Sequence, residues 1–214
     1  MEIIVNDYTK TIKGATVLDH VNLKLHSGVC YGFKGKNGSG KTMLMRAISG
    51  LINPSSGYVK IGDKQLGKDL SFPESIGILL ENPAFLDNYT GYANLKLLAD
   101  IQGKIKEKEI KEALSAVGLD PEDKRKYKKY SLGMKQKLGI AAAVMEKPEI
   151  VILDEPINAI DEEGVVLVKK IIFEAKNRGA IVIVACHDKE ELMELADEIV
   201  EISAGKIVEK KEAV

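Results

Sequence analysis

Two hydrophobic rhythms run along this chain. Short apolar, β-branched runs at residues 2–5, 17–25, 29–33, 57–61 and 75–80 predict strands. Continuous apolar runs at 150–153 and 181–185 lack alternation and read as strands buried on both faces. Apolar positions three and four apart at 41–48, 107–117, 132–145 and 161–177 predict helices. Late strands alternating with helices imply a parallel sheet, while the early strands, joined by short turns, imply an antiparallel flank. Between residues 94 and 130 no strand is evident, so this part is expected to be helical. The pattern therefore predicts an α/β chain: a mainly parallel core sheet flanked by helices, an antiparallel β flank and a helical subdomain inserted over about residues 84–134. No internal repeat or low-complexity linker interrupts it.

Composition narrows the reading. With 214 residues, one domain spanning 1–214 is expected, long enough to bury a substantial core. Lys and Arg number 31 against 32 Asp and Glu, a net charge of −1, so no global field draws nucleic acid and no such partner is expected. The longest apolar runs, such as "AIVIVAC", fall far short of the roughly 20 residues that span a bilayer. "MEIIVNDY" has an early acid and no basic segment, unlike a secretory signal. Cys30 and Cys186 are too few for a disulfide framework or a metal cluster, and a cytoplasmic chain is expected.

The strongest chemical signal is "GKNGSGKT", residues 35–42, which fits G-x-x-x-x-G-K-[ST]. It follows the apolar "VCYGF" and opens a predicted helix, a context that a chance Gly-rich turn would not share. Gly35, Asn37, Gly38, Ser39 and Gly40 form a loop whose backbone N–H groups can turn inward around phosphates. Lys41 would reach the terminal phosphates and the Thr42 hydroxyl would ligate Mg²⁺. In "IVILDEP", residues 150–156, a buried strand ends in Asp154 and Glu155 at the sheet's carboxyl edge, where such sheets bind ligands. Asp154 suits the Mg²⁺ shell and Glu155 a general base for an attacking water. A solvated strand end would look the same; pairing with the 35–42 loop favours the chemical reading. "NAID" sets Asp161 ahead of a helix, as an N-cap or a site residue. "VIVACHD" sets His187 after a buried strand, as a surface residue or a phosphate contact.

"YSLGMKQKLGIAAAVM", residues 130–145, adds a second phosphate docking point. Ser131 can cap this helix, and Gly133 sits in its first turn, where Gly costs about 1 kcal/mol relative to Ala. Open N–H groups and the positive dipole end make such a start attractive to anions. In this order, residues 35–42, 131–136, 154–155, Asp161 and His187 resemble the nucleotide-binding domain of an ABC transporter, over nearly the whole chain. The resemblance implies a P-loop NTPase fold of ABC type and hydrolysis of ATP with Mg²⁺. It matches Lys41 and Thr42 to the Walker A residues, Asp154 and Glu155 to the Walker B pair, Asp161 to the D-loop and His187 to the switch. Ser131 and Gly133 match the signature that serves ATP held by a second subunit. A head-to-tail homodimer follows, each chain owning two half-sites, with an integral membrane permease as the further partner on the membrane's inner face. Tyr8, in "VNDYTK", matches the aromatic that stacks on adenine, or is an ordinary strand residue.

The departures are informative. Against L-S-G-G-Q, this chain has Leu132 for the first Gly and Met134 for the Gln. Met43 follows the Walker A Thr, and Lys36 replaces a frequent Pro. In "LLENPAF", Glu81 stands where the family has a Gln that touches Mg²⁺; a carboxylate can ligate the metal but adds negative charge near the γ-phosphate. This E-x-P loop, with "YSLGMKQ", is similar to ATPases of bacitracin- and lantibiotic-type exporters. Such relatives often carry a C-terminal extension; the chain ends soon after "SAGKIVEKKEAV", so no added regulatory domain is expected. The basic "DKRKYKKY" reads as a solvated connection, or as an attractor of nucleotide, acidic loops or lipid headgroups. Two other functions fit part of the pattern. A small-molecule kinase shares the 35–42 loop but has no use for 131–136, and a soluble ABC-type ATPase has a non-transport role.

Overall fold

Lys13 and Gly14, at φ 48° and 83°, turn the chain between strands β1 (Glu2–Ile12) and β2 (Ala15–His26). Two successive positive φ values give the turn whose twist matches a two-stranded hairpin. The computed structural model describes residues 1–81, 83–186 and 188–213. Strands β4 (Ser56–Ile61) and β5 (Lys64–Gln65) complete an antiparallel sheet of order β2-β1-β4-β5.

The second sheet is built from β3 (Cys30–Lys34), β6 (Ile76–Leu79), β7 (Ile150–Asp154), β8 (Ile181–Ala185), β9 (Glu198–Ser203) and β10 (Lys206–Glu212). Its order is β10-β9-β3-β8-β7-β6, parallel throughout except for the β9–β10 hairpin. Every residue of β7 and β8 is buried, as their uninterrupted apolar runs require. Alternate side chains divide between two cores. Ile150, Ile152, Ile181 and Ile183 face the antiparallel sheet together with Tyr31, Phe33 and Leu44. Val151, Leu153, Val182 and Val184 pack on the opposite face with the helical region.

That region contains α2 (Gly91–Gln102), α3 (Glu107–Ala116), a single 3₁₀ turn (Tyr127–Lys129) and α4 (Leu132–Val144). Thr90 caps α2 by accepting from Ala93 N at 3.1 Å, and Gly103 ends it at φ 66°. Leu95, Ile110, Leu114 and Leu138 join the three helices. The approach of α4 to β6 is very close: a Cβ on Gly77 would lie 1.6 Å from the Ala143 carbonyl oxygen. The remaining helices are α1 (Lys41–Ile48), α5 (Glu162–Asn177) and α6 (Lys189–Leu195).

The predicted strands and helices are all present. Four elements had no clear signal: β5, α6, β9 and β10. Strand β10 is almost wholly exposed and carries three Lys and two Glu, the charged guise of a protected sheet edge.

Candidate functional site

Because β3, β6, β7 and β8 run parallel, their carboxyl ends lie along one edge of the sheet. The loop after β3 leads into α1, and β7 ends at Asp154. Between them opens a cavity of about 640 Å³, lined by residues 37–43, Glu81, Asp154 and Glu155, with further walls described below. Its volume lies within the usual range for small-molecule and cofactor sites.

Close backbone approach shapes the loop. A Cβ on Gly35 would lie 2.3 Å from Ile202 O and 2.5 Å from Ser39 Oγ, so only glycine fits. Gly40, at φ 111°, is the N-cap of α1 and supplies no side-chain cap, and the first turn holds no acid. The N–H groups at this helix start are therefore available to an anion. Ser39 Oγ is buried and lacks a hydrogen-bond partner among the described residues, which a phosphate oxygen would supply. Lys41 is folded back on the loop, its Nζ donating to Gly35 O at 2.6 Å and to Lys36 O at 3.3 Å.

The carboxylates gather opposite. Thr42 Oγ1 donates to Asp154 Oδ2 at 2.7 Å, bringing together the hydroxyl and carboxylate expected to share a metal. Among the described residues no three His, Cys, Asp or Glu side chains are grouped as a self-sufficient metal cage. The Thr42–Asp154 pair has the oxygen donors that suit Mg²⁺, which takes one or two protein oxygens and completes its shell with phosphate and water. Glu155 has a left-handed backbone, φ 51°, with its N–H on Ala185 O at 2.8 Å and its carbonyl accepting from Gln136 Nε2 at 2.8 Å. Behind it, burial and then the Glu155 carboxylate push the Cys186 thiol well above its ordinary range, keeping it neutral. Glu81, also left-handed at φ 60°, borders the cavity, and its Oε1 accepts from Arg46 Nη2 at 2.6 Å.

The 131–136 segment is placed differently. Ser131 caps α4 by accepting from Met134 N at 3.2 Å, and it is exposed. Leu132, 60% exposed, and Gln136 border the cavity; Ser131 and Gly133 do not. The helix start is instead packed on the segment that follows Glu155. A Cβ on Gly133 would lie 2.5 Å from Ala159 O, and Lys137 Nζ meets Asp161 Oδ1 at 2.8 Å. Asp161 also caps α5, accepting from Gly164 N at 3.2 Å, and the Lys137 hydrogen bond holds its carboxyl below the usual range. His187 lies outside the described residues.

Tyr8 requires a correction. Its ring is 1% exposed in the core beneath the antiparallel sheet, and its hydroxyl donates to Ile52 O at 3.0 Å. A ring enclosed on both faces cannot stack on a base. Register shifts on both sides of Tyr8, with Asp7 at φ 47°, turn this side chain inward. The far wall of the cavity is made by Thr16 and Val17 of β2 and by Ala204 and Gly205 of the β9–β10 turn, none of them anticipated. Gly205 N donates to Ser39 O at 2.8 Å, tying this turn to the loop. Asn158 and Ala159 were likewise missed.

Comparison with known proteins gives the family and the fold. Residues 18–158 match the ABC transporter family. The chain is 47% identical over 199 residues to the uncharacterized ABC transporter ATP-binding protein YybJ of Bacillus subtilis (strain 168), covering 93% of this chain and 91% of YybJ. It is 39% identical to the bacitracin transport ATP-binding protein BcrA of Bacillus licheniformis, covering 95% of this chain and 67% of BcrA. It is 35% identical to the lantibiotic transport ATP-binding protein SrtF of Streptococcus pyogenes, covering 97% and 90%. Among solved structures, the ATP-binding cassette MJ0796, a dimer in a post-hydrolysis state bound to ADP and Pi, superposes with a TM-score of 0.87 at 22% identity, over 99% of each chain. At that identity the likeness shows a shared fold. The chain is a member of the ABC transporter family, and it is similar to that family's ATP-binding proteins, those of bacitracin and lantibiotic transport included.

Proposed function

We propose that this chain is the ATP-hydrolysing subunit of a transporter, a single domain that binds Mg·ATP at the interface of a head-to-tail homodimer and drives a separate membrane permease. One observation carries the reading: Lys41, Thr42, Asp154 and Glu155 line one cavity, while Ser131, exposed at the cap of α4, does not. A second copy can then bring its own Ser131 and Gly133 to the open side of that cavity.

In this scheme the 35–40 loop and the α1 N-terminus hold the phosphates, and Lys41 leaves its loop carbonyls for the terminal phosphate oxygens. Thr42 and Asp154 would hold Mg²⁺, which supplies charge neutralisation to the β- and γ-phosphates. Glu155 accepts a proton from the water that attacks the γ-phosphorus, and ADP and inorganic phosphate leave. Gln136 fixes the backbone that carries Glu155. No helix among the described residues is long and apolar enough to cross a membrane. In this reading the permease is a separate partner that holds the subunit at the cytoplasmic face. Glu155→Gln tests the scheme. With ATP and Mg²⁺ it should form a persistent dimer by light scattering, and a monomer under all conditions would overturn it.

A further inference from the structure

Among the described residues, the charged groups lining the cavity are one ammonium, Lys41, and three carboxylates: Glu81, Asp154 and Glu155. A polyanionic ligand entering there meets net repulsion before any metal is counted. Glu81 lies at the terminal-phosphate end, since β6, which it follows, pairs directly with β7, Leu79 opposite Leu153, just ahead of Asp154. Its left-handed backbone, φ 60°, is uncommon for a non-glycine residue, and such positions cluster at functional sites.

One cation answers it. Arg46 stands one helical turn beyond Thr42 on α1, and its Nη2 donates to Glu81 Oε1 at 2.6 Å. The two side chains are 35% and 63% exposed. An ion pair that open contributes at most about 1 kcal/mol to folding, so stability does not account for its place beside the cavity.

We infer that Arg46 is a positioning and charge-balancing residue for Glu81, holding its carboxylate off the terminal phosphate so that the site accepts a nucleoside triphosphate despite a third acid. The inference rests on the ATP site proposed above and adds to it a residue that discriminates triphosphate from diphosphate. A diphosphate lacks the group nearest Glu81, so loss of Arg46 weakens triphosphate binding selectively. Removing the Glu81 charge as well restores it.

The test is equilibrium binding of ADP and of a non-hydrolysable β,γ-imido ATP analogue, each with Mg²⁺, by calorimetry. The proteins are the wild type, Arg46→Ala, Arg46→Lys and Arg46→Ala/Glu81→Gln, with thermal unfolding as the control for folding. Arg46→Ala should weaken the triphosphate analogue about tenfold and ADP by about twofold or less. Arg46→Lys should recover most of the loss, and the double variant should return to within about twofold of wild type. Unchanged affinity in Arg46→Ala, equal losses for both nucleotides, or no recovery in the double variant would overturn the inference. A wild type that binds neither nucleotide would overturn the ATP site itself, and this inference with it.

Discussion

Thr42 Oγ1 and Asp154 Oδ2, 112 residues apart in the chain, share a 2.7 Å hydrogen bond. The bond joins the first turn of α1 to the end of β7 and places the two oxygens where one Mg²⁺ can bind both. Thr42→Ala and Asp154→Asn should each weaken nucleotide binding about tenfold or more when Mg²⁺ is present. With Mg²⁺ chelated, each variant should bind like the wild type. A loss that persists without the metal would mean that these residues shape the loop and do not serve the ion.

Tyr8 is a core residue, so its substitution should separate stability from binding. Tyr8→Phe removes the bond to Ile52 O and should cost about 1 kcal/mol in chemical denaturation. Nucleotide affinity of the folded variant should stay unchanged. A weakened affinity at unchanged stability would return the ring to the adenine site.

The seat of α4 on β6 leaves no room for a methyl group at Gly77. Gly77→Ala must separate strand and helix and should cost more than about 3 kcal/mol, or abolish folding. Gly62→Ala is the control for added bulk, because its Cβ would meet nothing within 4 Å. Its φ of 57° adds only a backbone cost of about 1 kcal/mol. Equal stability of the two variants would contradict the packing described.

Burial pushes the Cys30 thiol up to about 12. A folded-state value raised above the unfolded one means that the unfolded chain releases its proton first as pH rises. The contribution is therefore complete below the unfolded pKa and is lost progressively up to the folded one. Between about pH 9 and pH 10.5 this single group should lower stability by on the order of 1–2 kcal/mol. Denaturant unfolding across that window should show a shallower decline for Cys30→Ala than for the wild type; parallel declines would contradict it.

Much of this was legible in the sequence because it is local. The 35–42 loop and the Asp154–Glu155 strand end announce themselves by residue types a few positions apart, and β7 and β8 by unbroken apolar runs. What escaped depends on distant pairing. Nothing near Tyr8 shows that a bulged strand turns its ring inward. Nothing near Arg46 names Glu81, 35 residues on, as its partner. Thr16, Val17, Ala204 and Gly205 reach the cavity only because one hairpin and one turn fold over the loop. Strand β10 carries almost no buried side chain, so no hydrophobic pattern marks it.

Whether one chain completes its own site is decided by mixing two defective chains. Lys41→Ala lacks the lysine, while Ser131→Asp keeps a helix-capping side chain but sets a negative charge where the partner's phosphate should dock. Each variant alone should hydrolyse ATP negligibly. An equal mixture should recover about a quarter of the wild-type rate, because half the dimers are mixed and each mixed dimer holds one intact site of two. A mixture no faster than its components, or full activity of Ser131→Asp alone, would contradict the shared site.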